Sequence, residues 1–227
     1  LFAYDRKNPP LDGEIEKEDY SGGNFHGQPL SITMDFLGMA LAQLGNISER
    51  RIQKLLDENH NQGLPSNLIE KPGLNSGLMI AQYTAAALVS ENKILAHPAC
   101  VDSIPTSANV EDFVSMGTLA ARKAKQILEN VENIVSIELL CATQSLDFRM
   151  GNLKIQNLNN ANSEIKGKPG RGSLAAYNLI RKYVKPLKAD RELDQDINTI
   201  RELIKSEKLM QEVEKVYALA CFNVLAH

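Results

Sequence analysis

The stretch Leu74–Met116 reads LNSGLMIAQYTAAALVSENKILAHPACVDSIPTSANVEDFVSM. Its first half, from Ser76 to about Ala96, predicts one helix. Ala81, Ala85, Ala86 and Ala87 are strong helix formers. Leu78, Ile80, Leu88, Val89, Ile94 and Leu95 spread around the whole circumference instead of along one stripe. A helix apolar on most faces and trimmed with alanine is built to be surrounded by other helices. At ~1.5 Å per residue it is long enough to span a domain or a bilayer. Gln82, Glu91, Asn92 and Lys93 exclude the bilayer reading, because charge is costly in hydrocarbon. The stretch therefore predicts the core helix of a soluble bundle. His97-Pro98 ends it, since proline disfavours a helical residue before it. A polar loop rich in Ser and Thr follows, with Pro105 at its centre. The pattern then predicts a new helix with Asn109 as N-cap, Glu111 at N2 and Asp112 at N3. Glu111 has two readings: part of a well-capped helix start, or a carboxylate at the mouth of a loop, placed for acid or base work.

Working outward, Pro29 suits a first helical turn, and LSITMDFLGMALAQLGNISERRIQKLLD predicts a helix from Leu30 to about Asp57. Leu30, Met34, Leu37, Leu41 and Leu44 recur at helical spacing, and Gly45-Asn46 is a candidate bend or break. Met34 and Met39 read as flexible core filler. Residues 58–74 form a polar loop. Residues 110–148 predict one or two long helices interrupted only at Gly117, with Arg122, Lys123, Lys125, Glu129 and Glu132 on the wet side. The Asn-rich and Lys-Gly-rich segment 150–172 reads as a surface loop. Three shorter helices follow, near Ser173–Val184, Asp190–Lys205 and Glu207–Asn223. No stretch reads as a buried strand, although Leu1–Tyr4 suits a short strand or extended arm. The fold class is all-α: long near-parallel helices forming a bundle. The chain divides into a connecting segment (1–20), a helical core (21–150) and a C-terminal helical segment (151–227).

The 227 residues carry a net charge of −3 and a pI near 5.9, which gives no basic footprint for nucleic acid. Cys100, Cys141 and Cys221 are widely spaced and odd in number; reduced thiols in a cytoplasmic protein are expected, with no metal. Neither a secretory signal nor a convincing membrane span is read. The glycine-rich Ser21–Gly27 has no Lys-Ser/Thr after it and is not a P-loop. His26 and His60 read as structural or surface histidines.

Several anchors in one order carry a resemblance. They are Ser21-Gly22-Gly23-Asn24-Phe25-His26-Gly27, Ser48-Glu49-Arg50-Arg51-Ile52, the opening stretch itself, and Leu146-Asp147-Phe148-Arg149. Together they resemble the histidine/phenylalanine ammonia-lyase family, the histidine branch above all. The resemblance implies four chains packing their long helices into a central tetrameric core, with each active site built from more than one chain. It implies an amino acid substrate that loses ammonia, histidine going to trans-urocanate. By residue-for-residue match, Glu111 falls where the family has a glutamate near the substrate amino group, and Phe25 and Met79 fall at pocket-lining positions. The family's electrophile, methylidene-imidazolone, forms from Ala-Ser-Gly. That tripeptide is absent from this sequence, where Ser21-Gly22-Gly23 and Asn75-Ser76-Gly77 come nearest. Starting at Leu1, the chain is expected to lack the family's N-terminal half, to need that half as a partner, and to be inactive alone. Two alternatives stay open: a non-catalytic helical assembly module, and a phenylalanine or tyrosine lyase or aminomutase.

Overall fold

The computed structural model describes residues 2–4, 20–22, 25–155 and 168–224. Most of the connecting segment, Gly23 and Asn24 of the glycine-rich stretch, and residues 156–167 of the Asn-rich loop lie outside them. Two three-residue strands, β1 (Phe2–Tyr4) and β2 (Tyr20–Gly22), pair antiparallel, with Ala3 opposite Ser21. Among the described residues, everything else of regular structure is helical: α1 (Gln28–Leu56), α2 (Met79–Leu95), α3 (Gly117–Arg149), α4 (Arg171–Tyr183), α5 (Asp194–Lys205) and α6 (Lys208–Val224).

α1 runs unbroken through Gly45-Asn46, where a bend was expected. The reason is contact with α3. A Cβ on Gly45 would lie 3.3 Å from both Ile134 Cδ1 and Val131 Cγ2, and one on Gly38 would lie 3.1 Å from Ile127 Cδ1. These glycines bring two helix axes together, which is a packing role. The same positions fix the direction. Seven residues along α1, from Gly38 to Gly45, match seven along α3, from Ile127 to Ile134. Arg51 and Ser48 then both reach Glu138. α1 and α3 are therefore parallel neighbours, and α2 runs back between them, with Asn92 bonded to Asn130 and Glu91 to Gln126.

The face that α1 buries is Ser31, Asp35, Gly38, Ala42, Gly45, Ser48, Glu49, Ile52 and Leu56. Most of this row is small or polar. Three of the four leucines that mark the helix in the sequence point the other way: Leu30, Leu37 and Leu44 are exposed, as are Ile47 and Phe36, the last at 63 %, while Leu41 packs half-buried beside Ala42. By length and composition α1 is apolar enough to cross a membrane, but its buried row carries Asp35 and Glu49 and is packed along α3.

The most buried helix is α3, with Ile127, Ile134, Ile137, Leu140 and Phe148 inside. α2, expected to be the core helix, buries Ala81, Ala85 and Asn92 but leaves Ile80, Tyr83 and Ile94 exposed. Its all-round apolarity exceeds what one chain covers. α4 and α5 close the other side, and one core runs from Ile52 and Leu78 through Ile134 to Ile180 and Ile200. A buried polar knot fastens this end. Asp147 accepts bonds from Tyr177 Oη (2.6 Å) and Arg181 Nε (3.0 Å). Gln144 pins Leu187 through its N–H (3.0 Å) and its carbonyl (2.8 Å). Burial and Asp147 push the Tyr177 phenol upward, and it stays a neutral donor. Cys141, buried beside this core, is pushed up to about 12, chiefly by burial, and is an inert thiol.

Candidate functional site

Residues 98–116 connect α2 to α3. Pro98 and Pro105 prevent a helix, and the chain turns back on itself instead. Thr106 donates its N–H to the Glu111 carbonyl (2.9 Å) and accepts the Glu111 N–H (3.3 Å). Between them Ser107, Ala108 and Asn109 all have positive φ, 52°, 53° and 69°. Three successive left-handed residues without glycine cost roughly 1–2 kcal/mol each, so the turn is strained.

This corrects the helix expected from Asn109. Asn109 ends a left-handed turn and caps nothing, and Glu111 begins the return arm of a hairpin. Residues 110–116 are outside any helix, and α3 starts only at Gly117, after Met116 at φ 53°. A right-handed helix cannot run through Met116 in that conformation. The Glu111 side chain is exposed, with its backbone fixed on both sides by Thr106.

The roots of the hairpin are held by α1. Asp35, buried on the inner face of α1, accepts the N–H groups of Ala99 and Cys100, each at 2.8 Å, and pairs with Lys123 Nζ at 3.1 Å. Lys123 also bonds the His97 carbonyl. Burial alone would raise the Asp35 carboxyl, but the Cys100 and Ala99 amides and Lys123 outweigh it and hold it below its ordinary value. Gln28 Nε2 donates to the Cys100 carbonyl at 3.0 Å. Downstream, His26 Nε2 meets the Phe113 carbonyl at 2.9 Å. His26 is thus a hydrogen-bonded histidine, as its sequence setting suggested.

Phe25 is 92 % exposed, beside His26. It shares one end of the molecule with the Glu111 hairpin. Met79 does not. It is half-buried at the start of α2, where the Asp190 carboxylate accepts the N–H groups of Ser76 and Gly77, both at 2.8 Å. Asp190 was expected to open a helix; it fastens this turn instead, and α5 begins at Asp194. Seventeen residues of α2 at ~1.5 Å each put Met79 about 25 Å from the end where the hairpin leaves. Within one chain, Phe25 and Glu111 are neighbours by segment and Met79 is remote.

A cleft of about 500 Å³ lies between the end of α2, the hairpin root and the start of α3, lined by Leu95, His97, Ile104, Met116 and Arg122 among others. Phe25, Met79 and Glu111 do not line it. Among the described residues no group of three or more His, Cys, Asp or Glu side chains has metal-site geometry. Asp35 is the anchor of this segment that sequence reasoning missed. Its signal was its place in the small-and-polar seven-residue row of α1, not in any motif.

Three comparisons bear on this arrangement. A profile described as aromatic amino acid lyase matches residues 6–182. The histidine ammonia-lyase of Natranaerobius thermophilus is 53 % identical over 206 residues, which cover 91 % of this chain and 38 % of that protein. In crystal structures, the histidine ammonia-lyase of Trypanosoma cruzi superposes with a TM-score of 0.75 at 41 % identity, over 90 % of this chain and 37 % of the other. A tyrosine aminomutase from Streptomyces globisporus gives a TM-score of 0.75 at 33 % identity, over 89 % and 36 %. The chain spans about two fifths of the length of the curated relatives it matches.

Proposed function

The chain belongs to the aromatic amino acid lyase family, and from that membership we propose that it is the C-terminal portion of a lyase converting histidine to trans-urocanate and ammonia in the cytoplasm. The observation that carries the choice of substrate is the 41 % identity to the Trypanosoma cruzi histidine ammonia-lyase structure, against 33 % to the tyrosine aminomutase structure, together with the 53 % identity to the Natranaerobius enzyme.

In this reading Glu111 faces the substrate amino group, where a carboxylate holds or accepts an ammonium proton. Phe25 and Met79 line the pocket. The ~25 Å between Met79 and the hairpin supports a pocket assembled from different protomers, Met79 of one meeting Glu111 of another. The exposed Leu30, Phe36, Leu37, Leu44 and Ile47 of α1, with Ile80 and Tyr83 of α2, supply the apolar surface for a homotetramer.

The methylidene-imidazolone electrophile of this family has no precursor here, since the sequence contains no Ala-Ser-Gly. No residue of this chain becomes that group. It must come from an N-terminal half, and the chain alone releases no urocanate. Co-expression with a segment carrying Ala-Ser-Gly, followed by urocanate absorbance with histidine as substrate, tests this. Absorbance only in the mixture is expected. A folded, assembled mixture that stays silent rejects the proposal. The TM-score shared with the tyrosine aminomutase favours one second reading, an aminomutase, which would instead yield a β-amino acid from an aromatic substrate.

A further inference from the structure

Residues 101–113 are exposed throughout, yet the segment is tied at both ends to one place, the entry and first two turns of α1. Upstream, Cys100 is held by both backbone groups: its N–H by Asp35 (2.8 Å) and its carbonyl by Gln28 Nε2 (3.0 Å). Downstream, two residues past Glu111, the Phe113 carbonyl meets His26 Nε2 at 2.9 Å. The His26 ring also stacks on Phe113, with centroids 5.4 Å apart and planes at 23°. On its other edge, His26 Nδ1 accepts the N–H of Gln28 at 3.2 Å. A ring that accepts at Nδ1 and donates at Nε2 is the neutral Nε2–H tautomer. One imidazole therefore joins the entry to α1, immediately after Phe25, to the return arm of the hairpin that carries Glu111.

We propose that His26 is a positioning residue for the lyase reaction: with Asp35 and Gln28 it completes a two-point clamp that fixes where Glu111 stands relative to the Phe25 segment. This rests on the reading of Glu111 as a substrate contact. Without the His26 contacts, the return arm is held by the Thr106–Glu111 pairing within the hairpin and by the start of α3 at Gly117. A displacement of ~1 Å at a reacting group costs on the order of 10²-fold in rate. A histidine that served only folding would change stability and leave turnover intact.

The test uses the full-length enzyme containing this chain, assayed with histidine, and three variants. His26→Phe keeps a ring over Phe113 and removes both hydrogen bonds. His26→Gln offers one amide donor and one carbonyl acceptor, and His26→Ala removes everything at an exposed position. Turnover, KM, melting temperature and amide exchange of residues 101–113 are read together. His26→Phe is expected to lose roughly 10- to 100-fold in kcat, with a smaller change in KM, an unchanged melting temperature and faster exchange across 101–113. His26→Gln is expected to recover most of the rate. Wild-type kcat in His26→Phe overturns the clamp, as does an equal loss in the Phe and Gln variants with exchange unchanged. His26→Ala is read by the same criteria if the bulkier Phe prevents folding. Should the wild type release no urocanate, the proposed function fails, and the exchange data alone decide the clamp: unchanged exchange in both His26→Phe and His26→Ala overturns it.

Discussion

Gly77 has φ +59°, and Ile69 Cβ lies 2.9 Å from where a Cβ of its own would be, with the Asn67 carbonyl closer still. The left-handed backbone alone costs an alanine roughly 1–2 kcal/mol, and the clash adds to that. Gly77→Ala should therefore lower the unfolding free energy, measured by urea titration, by at least that amount. Arg181 is a second such residue. It pairs with Asp147, whose side chain is 1 % exposed. Arg181→Met leaves that buried carboxylate without its counter-ion, with only the Tyr177 and Asn152 donors, and should cost about 3–5 kcal/mol. Asp35 gives a pH signature. Its carboxyl is depressed in the folded chain. It therefore adds stability above its unfolded value of about 3.9, and that stability is lost as pH falls through the folded value. Asp35→Asn should be less stable at neutral pH and lose less on acidification below about pH 4, read by denaturation at a series of pH values. At this scale the sequence was only partly legible. Phe25 and Met79 stand out through resemblance alone, whereas Glu111 was also marked by its place in a local cap pattern. Asp35 was hidden, and the partner of His26 was not legible, because Ala99, Cys100 and Phe113 are backbone groups more than sixty residues away.

α1 shows what the pattern of a helix does and does not encode. Its existence and ends were legible from Pro29 and the recurring leucines. Its inner face was not, because hydrophobic spacing selects the side facing away from the chain's own core. Seven-residue steps of Ser31, Gly38 and Gly45 make the tight seam against α3, and tight seams favour residues that periodicity ignores. Gly45→Val tests this, since its branches meet Val131 and Ile134. Overpacking of this kind costs typically 1–3 kcal/mol, and the loss should appear in thermal unfolding. The start of α3 was misread for the opposite reason. Asn109, Glu111 and Asp112 form a convincing local cap signal, but Met116 in a left-handed conformation and the Thr106–Glu111 pairing override it. Local preference lost there to a backbone geometry that no residue type in the segment announces.

For the molecule as a whole, the surplus of apolar surface on α1 and α2 is the main unsatisfied feature. Phe36→Asp with Leu44→Glu places two charges in the outward row without touching the α3 seam. If the homotetramer proposed above forms through this row, the double variant should shift the sedimentation profile toward monomer while the helical circular dichroism stays intact. An unchanged profile would remove α1 from the assembly surface. All-α architecture was legible at this scale because every long segment is helical. The parallel setting of α1 and α3 was not, since nothing in either helix records which way its neighbour runs. That setting has a consequence in time. Arg51 and its partner Glu138 are 87 residues apart, and every other rung of the α1–α3 seam spans a similar interval. A contact this distant must first overcome the entropy of closing the chain between, and folds dominated by such contacts form slowly. During synthesis at roughly 5–20 residues per second, α1 emerges several seconds before α3 exists to receive it. For that interval a 29-residue helix has its apolar row bare on one side and Asp35 and Glu49 without their native surroundings on the other. The nascent chain is at its most adhesive there, before the rest of its own fold exists to cover either side.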